Sequence, residues 1–419
     1  MKECHASGSP FTFSRLLACA FVLAAAFRIG LALTLQERLY WPDSNWYFCV
    51  AHRIASGEGF GQSLARGPFY PYFLSLVFLF SSRILVVRIC ESLVSAFACV
   101  VVALLGKKLF SERVGLLAGF ASAFYPYFIY LPSAQGSDNI VTLLLLVFVL
   151  FLVAKGGSLS VKHCILSGVF LGLSVLARPT VAVALPGILV WPALLKRGRE
   201  LRFLFRNLVI VVLASVGIVV PWTIHNFVVT GQFVLVSTGG GRQFWYGNSA
   251  YATASTTENP AYPTELSERL LSLPNEAVRE KLLYREGFEF IRRYPGAAAR
   301  LYFEKLANLF QLYPSVHTSG SAPRSRAVRT LVTLGSVVLF VLAFFGAVLV
   351  LAKRHIAAIL PLMVVSYCLG SAVFLTIMRY RLPMDPYLIL LGSAALAFFL
   401  RWPSGLGAPE SVDPMRSGG

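Results

Sequence analysis

Long apolar blocks alternate with short polar joints along this chain, and the alternation breaks twice. The first block runs from Phe13 to about Leu35, and later blocks cover residues 84–106, 114–131, 140–154, 164–177, 181–195, 205–229, 331–352, 356–377 and 388–400. These blocks are apolar on every face rather than along one stripe, which predicts helices that are buried or face lipid. A further apolar block, Phe69 to Ser81, has about 13 residues, short of the roughly 20 that cross a bilayer, and is read as an interfacial or re-entrant helix. The first break in the pattern is residues 36–68. Within it Trp46, Val50, Ile54 and Tyr47, Ala51 recur at helical spacing, predicting an amphipathic surface helix from Asp43 to Ser56 with Asp43 as its cap and Gly57 as its stop. The second break is residues 230–329. Its start, VLVSTGGGRQFWYGN, has strand-like and turn-like composition, and its middle, Asn275 to Phe310, reads as amphipathic helix interrupted at Pro295.

Composition fixes the class. With 57% hydrophobic and 13% charged residues, the chain is predicted to be an all-α polytopic membrane protein of about 10–11 transmembrane helices, with an amphipathic first outer loop and one larger outer-face loop region. The net charge of +18 then reports orientation and contact with anionic headgroups, and no nucleic-acid partner is inferred. The seven cysteines are scattered without metal-type spacing. The first apolar block lacks a small-residue cleavage site and is read as an uncleaved span. With a cytoplasmic N-terminus, Lys107-Lys108, Lys155, Lys196 to Arg206, Lys353-Arg354 and Arg401 all fall on the cytoplasmic side, provided that residues 69–81 do not cross. The divisions that follow are an N-terminal transmembrane catalytic module over 1–229, an outer-face region over 230–329, C-terminal transmembrane helices over 330–402, and a Gly/Pro/Ser-rich tail over 403–419 read as disordered.

That topology gathers Asp43, Glu58, Arg66, Asp138, Arg178, His225, Arg379 and Arg381 on one side, most of them at span ends, where ionisable groups are costly unless paired or functional. Cations there suit a phosphate, and a carboxylate suits removal of a proton from an attacking hydroxyl. Structural readings stand beside these. Asp43 and Asp138 are also fit to cap helices, the three arginines Arg178, Arg379 and Arg381 to snorkel, His225 to be a hydrogen-bonded structural histidine, and Glu58 to be a solvated turn residue. Trp41, Trp46, Tyr47, Phe69, Tyr70 and Tyr72 also read as an interface belt, and the arginines and glutamates from Arg269 to Arg300 as a solvated face.

Several motifs carry a resemblance. Asp43 and Tyr47 form a D-x-x-x-Y element ahead of AHRIASGEGF, followed in order by RGPFYPYFLS, LARPT, PWTIHN, VLVSTGGGRQFWYGN and RYRLPMDP. In that order they resemble the bacterial membrane glycosyltransferases of the GT-C fold, including relatives of the protein O-mannosyltransferases and of the lipid A aminoarabinose transferases. The resemblance implies a polyprenyl-phosphate sugar donor and a lipid, glycan or protein acceptor glycosylated at the outer face of the bacterial inner membrane. It implies that Asp43, and in the second outer loop Asp138, sit at the reaction centre. Arg66 and Arg178 would contact the lipid phosphate, joined by Tyr47 and by Arg379 or Arg381. His225 stands where many relatives carry arginine, so its role is left between a hydrogen bond and a metal ligand. Relatives differ over a divalent metal, and no ligand cluster here is dense enough to claim one. Two other functions stay in view. A secondary transporter lacks support, because the sequence shows no internal repeat; a lipid-linked glycan ligase or polymerase shares the same donor logic.

Overall fold

The computed structural model describes residues 10–153, 160–195, 198–253, 261–313 and 325–402. Lys155, Lys196 and the tail expected to be disordered lie outside them. Among the described residues the regular structure is helical throughout.

Helix α1 (Pro10–Thr34) leads to α2 (Pro42–Ala55) and α3 (Phe69–Phe78), with α4 (Ile84–Leu109), α5 (Glu112–Phe124) and α6 (Pro126–Tyr130) following. The next two, α7 (Asp138–Leu152) and α8 (Val161–Ala177), form an antiparallel pair and are followed by α9 (Leu185–Leu195) and α10 (Gly198–Thr230). The second polar region contributes α11 (Gly240–Gly247), α12 (Thr264–Ser272), α13 (Glu276–Arg293) and α14 (Pro295–Leu309). The chain finishes with α15 (Arg326–Ala352), α16 (Ile359–Ser371) and α17 (Asp385–Phe399).

Five helical stretches among the described residues are long and apolar enough to cross a bilayer: Thr12–Thr34, Ile84–Leu109, Glu200–Thr230, Arg326–Ala352 and Met378–Phe399. A sixth forms if α5 and residues 126–134, bent by 56° at their junction, are taken as one. The remaining apolar blocks make helices of 10–17 residues. Helix α3, with 10 residues, rises about 15 Å, half of the roughly 30 Å hydrocarbon layer, which agrees with an interfacial or re-entrant element. Proline explains several of the interruptions. Pro126 starts α6 after a break at Tyr125, and Pro179 holds Arg178 in an extended conformation (φ −153, ψ 105) at the end of α8. Short 3₁₀ turns, Leu131–Ala134, Pro179–Ala184 and Met378–Met384, fill the gaps.

Helix α4 is the hub, packing against α1, α5 and α7. Its buried face, with Val87, Ala98, Val101, Val102 and Leu105, joins a continuous core with α7, α8 and α17. Arg28 faces the interior, donating to Ser95 Oγ (2.8 Å) and to the carbonyls of Ala123 (3.1 Å) and Ser122 (3.2 Å), and so ties α1 to α4 and α5.

The two ends of the bundle differ. Asn139, at the start of α7, donates to Glu91 Oε2 (2.5 Å) near the start of α4, so both helices begin at one end. Lys107 and Lys108 occupy the last turn of α4, at the opposite end. His355 stacks on Phe110 there (5.6 Å between ring centres), and Lys353 lies over the ring of Phe398, near the end of α17. The basic clusters of α4 and α15 therefore share one end, and Asp138 marks the other.

Candidate active site

Helix α7 starts at Asp138 and α8 ends at Arg178. Because the two run antiparallel and have similar lengths, those termini coincide, and each charge sits at the helix end whose dipole favours it. Arg178 and Asp138 form a direct ion pair over the ring of Tyr380, which lies 4.5 Å from the guanidinium carbon. Arg379, on the turn Met378–Met384, grips the second Asp138 oxygen through Nε (2.7 Å) and Nη2 (2.6 Å). Its remaining nitrogen, Nη1, lies 3.5 Å from Asp43 Oδ2, so one guanidinium spans both aspartates. The indole of Trp41, 3.4 Å from its carbon, supports it from one face.

Asp43 comes from the first turn of α2. The N-cap there is Trp41 and no side chain caps the helix, so the capping role expected for Asp43 is not what it performs. Pro42 opens the helix without needing a donor. Asp43 instead accepts from Arg66 Nη2 at 2.5 Å. Helix α2 ends at Ala55 and Gly57 adopts φ +80, the left-handed stop expected of it. Ser44 Oγ donates to the carbonyls of Ala134 and Gln135 (3.0 and 2.9 Å), docking α2 on the turn before α7. Gly67 lets the chain beyond Arg66 lie against the carbonyl of Leu176, where a Cβ would collide with backbone. Arg66 and Arg178 thereby face one space. Tyr47 lies beneath Arg66 (5.6 Å) and is 3.4 Å from Ser137 Oγ. Trp41, Tyr47 and Tyr70 are buried, so they are site and core residues rather than the interface belt open to them from sequence.

These groups line a cavity of about 260 Å³ with Asp43, Tyr47, Arg66, Arg178, Arg379 and Tyr380 on its wall. Asp138 stands behind that wall with its side chain fully enclosed, whereas 28% of the Asp43 side chain is accessible. With Arg242 and Glu280, which also line the cavity, four guanidiniums stand with three carboxylates, counting Asp138, which leaves at least one positive charge uncompensated.

Two sequence candidates lie elsewhere. Arg381 is enclosed among α14, α15 and α17, pairing with Asp385 (2.8 Å) and donating to the Leu309 carbonyl (2.5 Å). His225 stacks on Trp222 at 4.3 Å between ring centres, on α10. Neither lines the cavity. The PWTIHN motif instead holds the backbone that follows it. Trp222 Nε1 donates to the Val236 carbonyl (2.9 Å), Thr223 Oγ1 to Leu235 (2.8 Å), and Asn226 Nδ2 to Val234 and Val236 (3.0 and 3.1 Å). The carbonyls of residues 234–236 are thus taken up by side chains, and the strand-like composition yields no strand there. Their continuation, Gly239, Gly240 and Gln243, lines the cavity.

Glu276 and Glu280, which belong by sequence to a solvated face, are engaged instead. Glu276 accepts from Ser63 Oγ, Leu64 N and Thr238 Oγ1, each at 2.9 Å, and locks the segment between α2 and α3 to α13. Glu280 lines the cavity and accepts from Gly241 N (3.1 Å), and burial raises its carboxyl to about 7. Their only signal was position one turn apart at the start of α13, on the helix's inward side.

The donor set does not fit a divalent metal. Among the described residues no three His, Cys, Asp or Glu side chains converge, and the carboxylates of Asp43 and Asp138 both face guanidiniums that would repel a cation.

A family model described as dolichyl-phosphate-mannose-protein mannosyltransferase matches residues 65–225, which contain Arg66, Asp138, Arg178 and His225. No curated protein matches the chain. Among solved structures, the archaeal oligosaccharyltransferase AglB from Archaeoglobus fulgidus, in complex with an inhibitory peptide and a dolichol-phosphate, aligns over 93% of this chain and 51% of its own, with a TM-score of 0.55 at 14% identity. The apo form of the A. fulgidus enzyme gives the same score over 94% of this chain and 51% of its own, at 13% identity. ArnT from Cupriavidus metallidurans, bound to undecaprenyl phosphate, aligns over 93% of this chain and 78% of its own at 13% identity, and its TM-score of 0.45 carries no weight for the fold. The chain spans about half the length of AglB and shares its fold. The GT-C resemblance of the ordered motifs is thereby borne out: the chain is a GT-C-fold, polytopic helical protein.

Proposed function

We propose that this chain is an integral-membrane glycosyltransferase. It moves a sugar from a polyprenyl-phosphate donor to an acceptor hydroxyl at the outer face of the bacterial inner membrane, with Asp43 as general base. The observation that carries the reading is the contrast between the two aspartates. Asp138 is enclosed and held by Arg178 and Arg379, so it fixes those arginines; Asp43, although paired with Arg66, keeps 28% of its side chain accessible and opens onto the same cavity, where a substrate hydroxyl can reach it. The acceptor oxygen attacks the anomeric carbon while Asp43 takes its proton. The bond from that carbon to the phosphate oxygen breaks, and the electron pair leaves with the polyprenyl phosphate. The phosphate changes from a singly charged diester to a monoester with a further negative charge, and the surplus guanidinium charge of Arg66, Arg178 and Arg379 stabilises it. One displacement at one centre inverts the anomer. The apolar part of the wall, Val183, Leu235, Phe374 and Leu375, suits the first units of a lipid chain. The mannosyltransferase family match over residues 65–225 and the bound dolichol-phosphate of AglB support a lipid-linked donor.

Binding of polyprenyl phosphate to the purified chain tests the cavity's assignment. Arg178→Ala is expected to weaken it by roughly tenfold or more, the loss of one charge-assisted contact, with Arg178→Lys recovering part. Arg381→Ala is expected to lower thermal stability, since Asp385 is left as a buried unpaired charge, about 3–5 kcal/mol, without a specific effect on affinity. Equal affinities in the wild-type and Arg178→Ala proteins would remove the phosphate from this cavity.

A further inference from the structure

Beside the reaction cavity lies a second cavity of about 280 Å³. Ala65, Arg242 and Glu280 line both, so they form the partition between them. The acidic groups around the second cavity are engaged or weakened. Glu276 already receives three hydrogen bonds, from Ser63, Leu64 and Thr238. Glu280 receives one from Gly241, and burial lifts its carboxyl to about 7, so that it is only partly charged near neutrality. The cations are in the opposite condition. Among the described residues no carboxylate forms an ion pair with Arg242 or Arg279. Arg279 donates through Nη2 to the Leu273 carbonyl (3.1 Å), while its Nε is buried without a partner. A buried donor left unmatched is costly, and the side chain that carries it lines the cavity. Ser267 adds a hydroxyl to the wall, and Tyr262, stacked on Tyr246 at 5.7 Å between ring centres, adds a flat surface beside which a ring can lie.

We propose that the second cavity is the acceptor subsite and takes a glycan bearing a phosphate or carboxylate, held by Arg242 and Arg279. The hydroxyl to be glycosylated then crosses the partition into the cavity that Asp43 lines. This assignment rests on the first cavity being the donor site, and the two are separable by experiment.

Glucose 6-phosphate and glucose serve as probes of the detergent-purified full chain carrying Arg178→Ala, which weakens phosphate binding in the first cavity. Glucose 6-phosphate is expected to bind at least about tenfold more tightly than glucose, and adding Arg279→Gln should remove that preference. Arg279→Gln alone should bind polyprenyl phosphate like the wild type, which also reports an intact fold. Should that variant not fold, Ser267→Glu places a carboxylate in the same cavity and should abolish the preference in its stead. Equal binding of the two probes, or a preference that survives these substitutions, overturns the proposal. A wild-type chain that prefers glucose 6-phosphate but does not bind polyprenyl phosphate overturns the donor-site reading instead.

Discussion

The guanidinium of Arg379 touches two aspartates that do different things. It completes the enclosure of Asp138, and it reaches Asp43 only at 3.5 Å, leaving that carboxylate to Arg66 and the cavity. Much of this was legible in sequence: Asp43, Arg66, Asp138, Arg178 and Arg379 stand at the ends of apolar blocks, where an ionisable group needs a partner or a task. The same signal also pointed to His225 and Arg381, which lie elsewhere. Arg381 carried a competing signal, Asp385 four residues on, the spacing of a pair within one helix. Glu280 gave no such signal, because on paper it resembles the other charges of α13, and only its burial against Gly241 separates it from them. That burial predicts a pH dependence. A carboxyl whose folded pKa is raised from 4.5 to about 7 binds a proton more tightly when folded, so its contribution favours the fold at low pH and is lost as pH rises from about 4.5 to about 7. Glu280→Gln should flatten the fall in melting temperature across that window. An unchanged slope would show that Glu280 does not titrate as its burial requires.

At the scale of elements, the site is made where helices stop. Asp138 opens α7, Arg178 closes α8 ahead of Pro179, and Arg379 sits on the turn before α17. Proline and the preceding residue's restricted backbone made the stop at Arg178 readable, as Gly57 did for α2. The run at residues 234–236 was not readable in the same way. Its β-branched composition suits a strand, but what decides its conformation is the three side chains of α10 that take up its carbonyls, a long-range pairing that local pattern does not report. Asn226→Ala should therefore loosen the backbone leading to Gly239 and Gly240 and weaken donor binding, although Asn226 does not line the cavity. His225→Phe keeps a ring on Trp222 and should leave donor binding within about twofold, a difference near 0.4 kcal/mol. Donor titrations of the two variants check this, and the reverse order of effects would return His225 to the site.

Across the whole molecule, the cavity and the basic clusters of α4 and α15 lie at opposite ends of the bundle. This is the separation that the charge asymmetry of the sequence anticipated, with Lys155 and Lys196 lying outside the described residues. The crossing count was less legible, since apolar blocks look alike whether they form a full span or a helix of 10–17 residues. In a cysteine-free background, Ser272→Cys is expected to react with an impermeant thiol reagent in intact cells, and Lys353→Cys only after permeabilisation; the reverse would invert the protein in the membrane. The proposed chemistry turns on Asp43, and the most direct measurement compares Asp43→Asn with Asp138→Asn in sugar transfer from a polyprenyl-phosphate donor by purified protein. Asparagine keeps the size of the side chain and still accepts a hydrogen bond from Arg66, but it cannot take the acceptor's proton. Asp43→Asn is predicted to bind donor while transfer falls by at least about 10², whereas Asp138→Asn should weaken donor binding as Arg178 and Arg379 lose their anchor. If Asp43→Asn transferred sugar at near the wild-type rate while Asp138→Asn bound donor normally but transferred none, the base would be Asp138 and the proposed mechanism would be wrong.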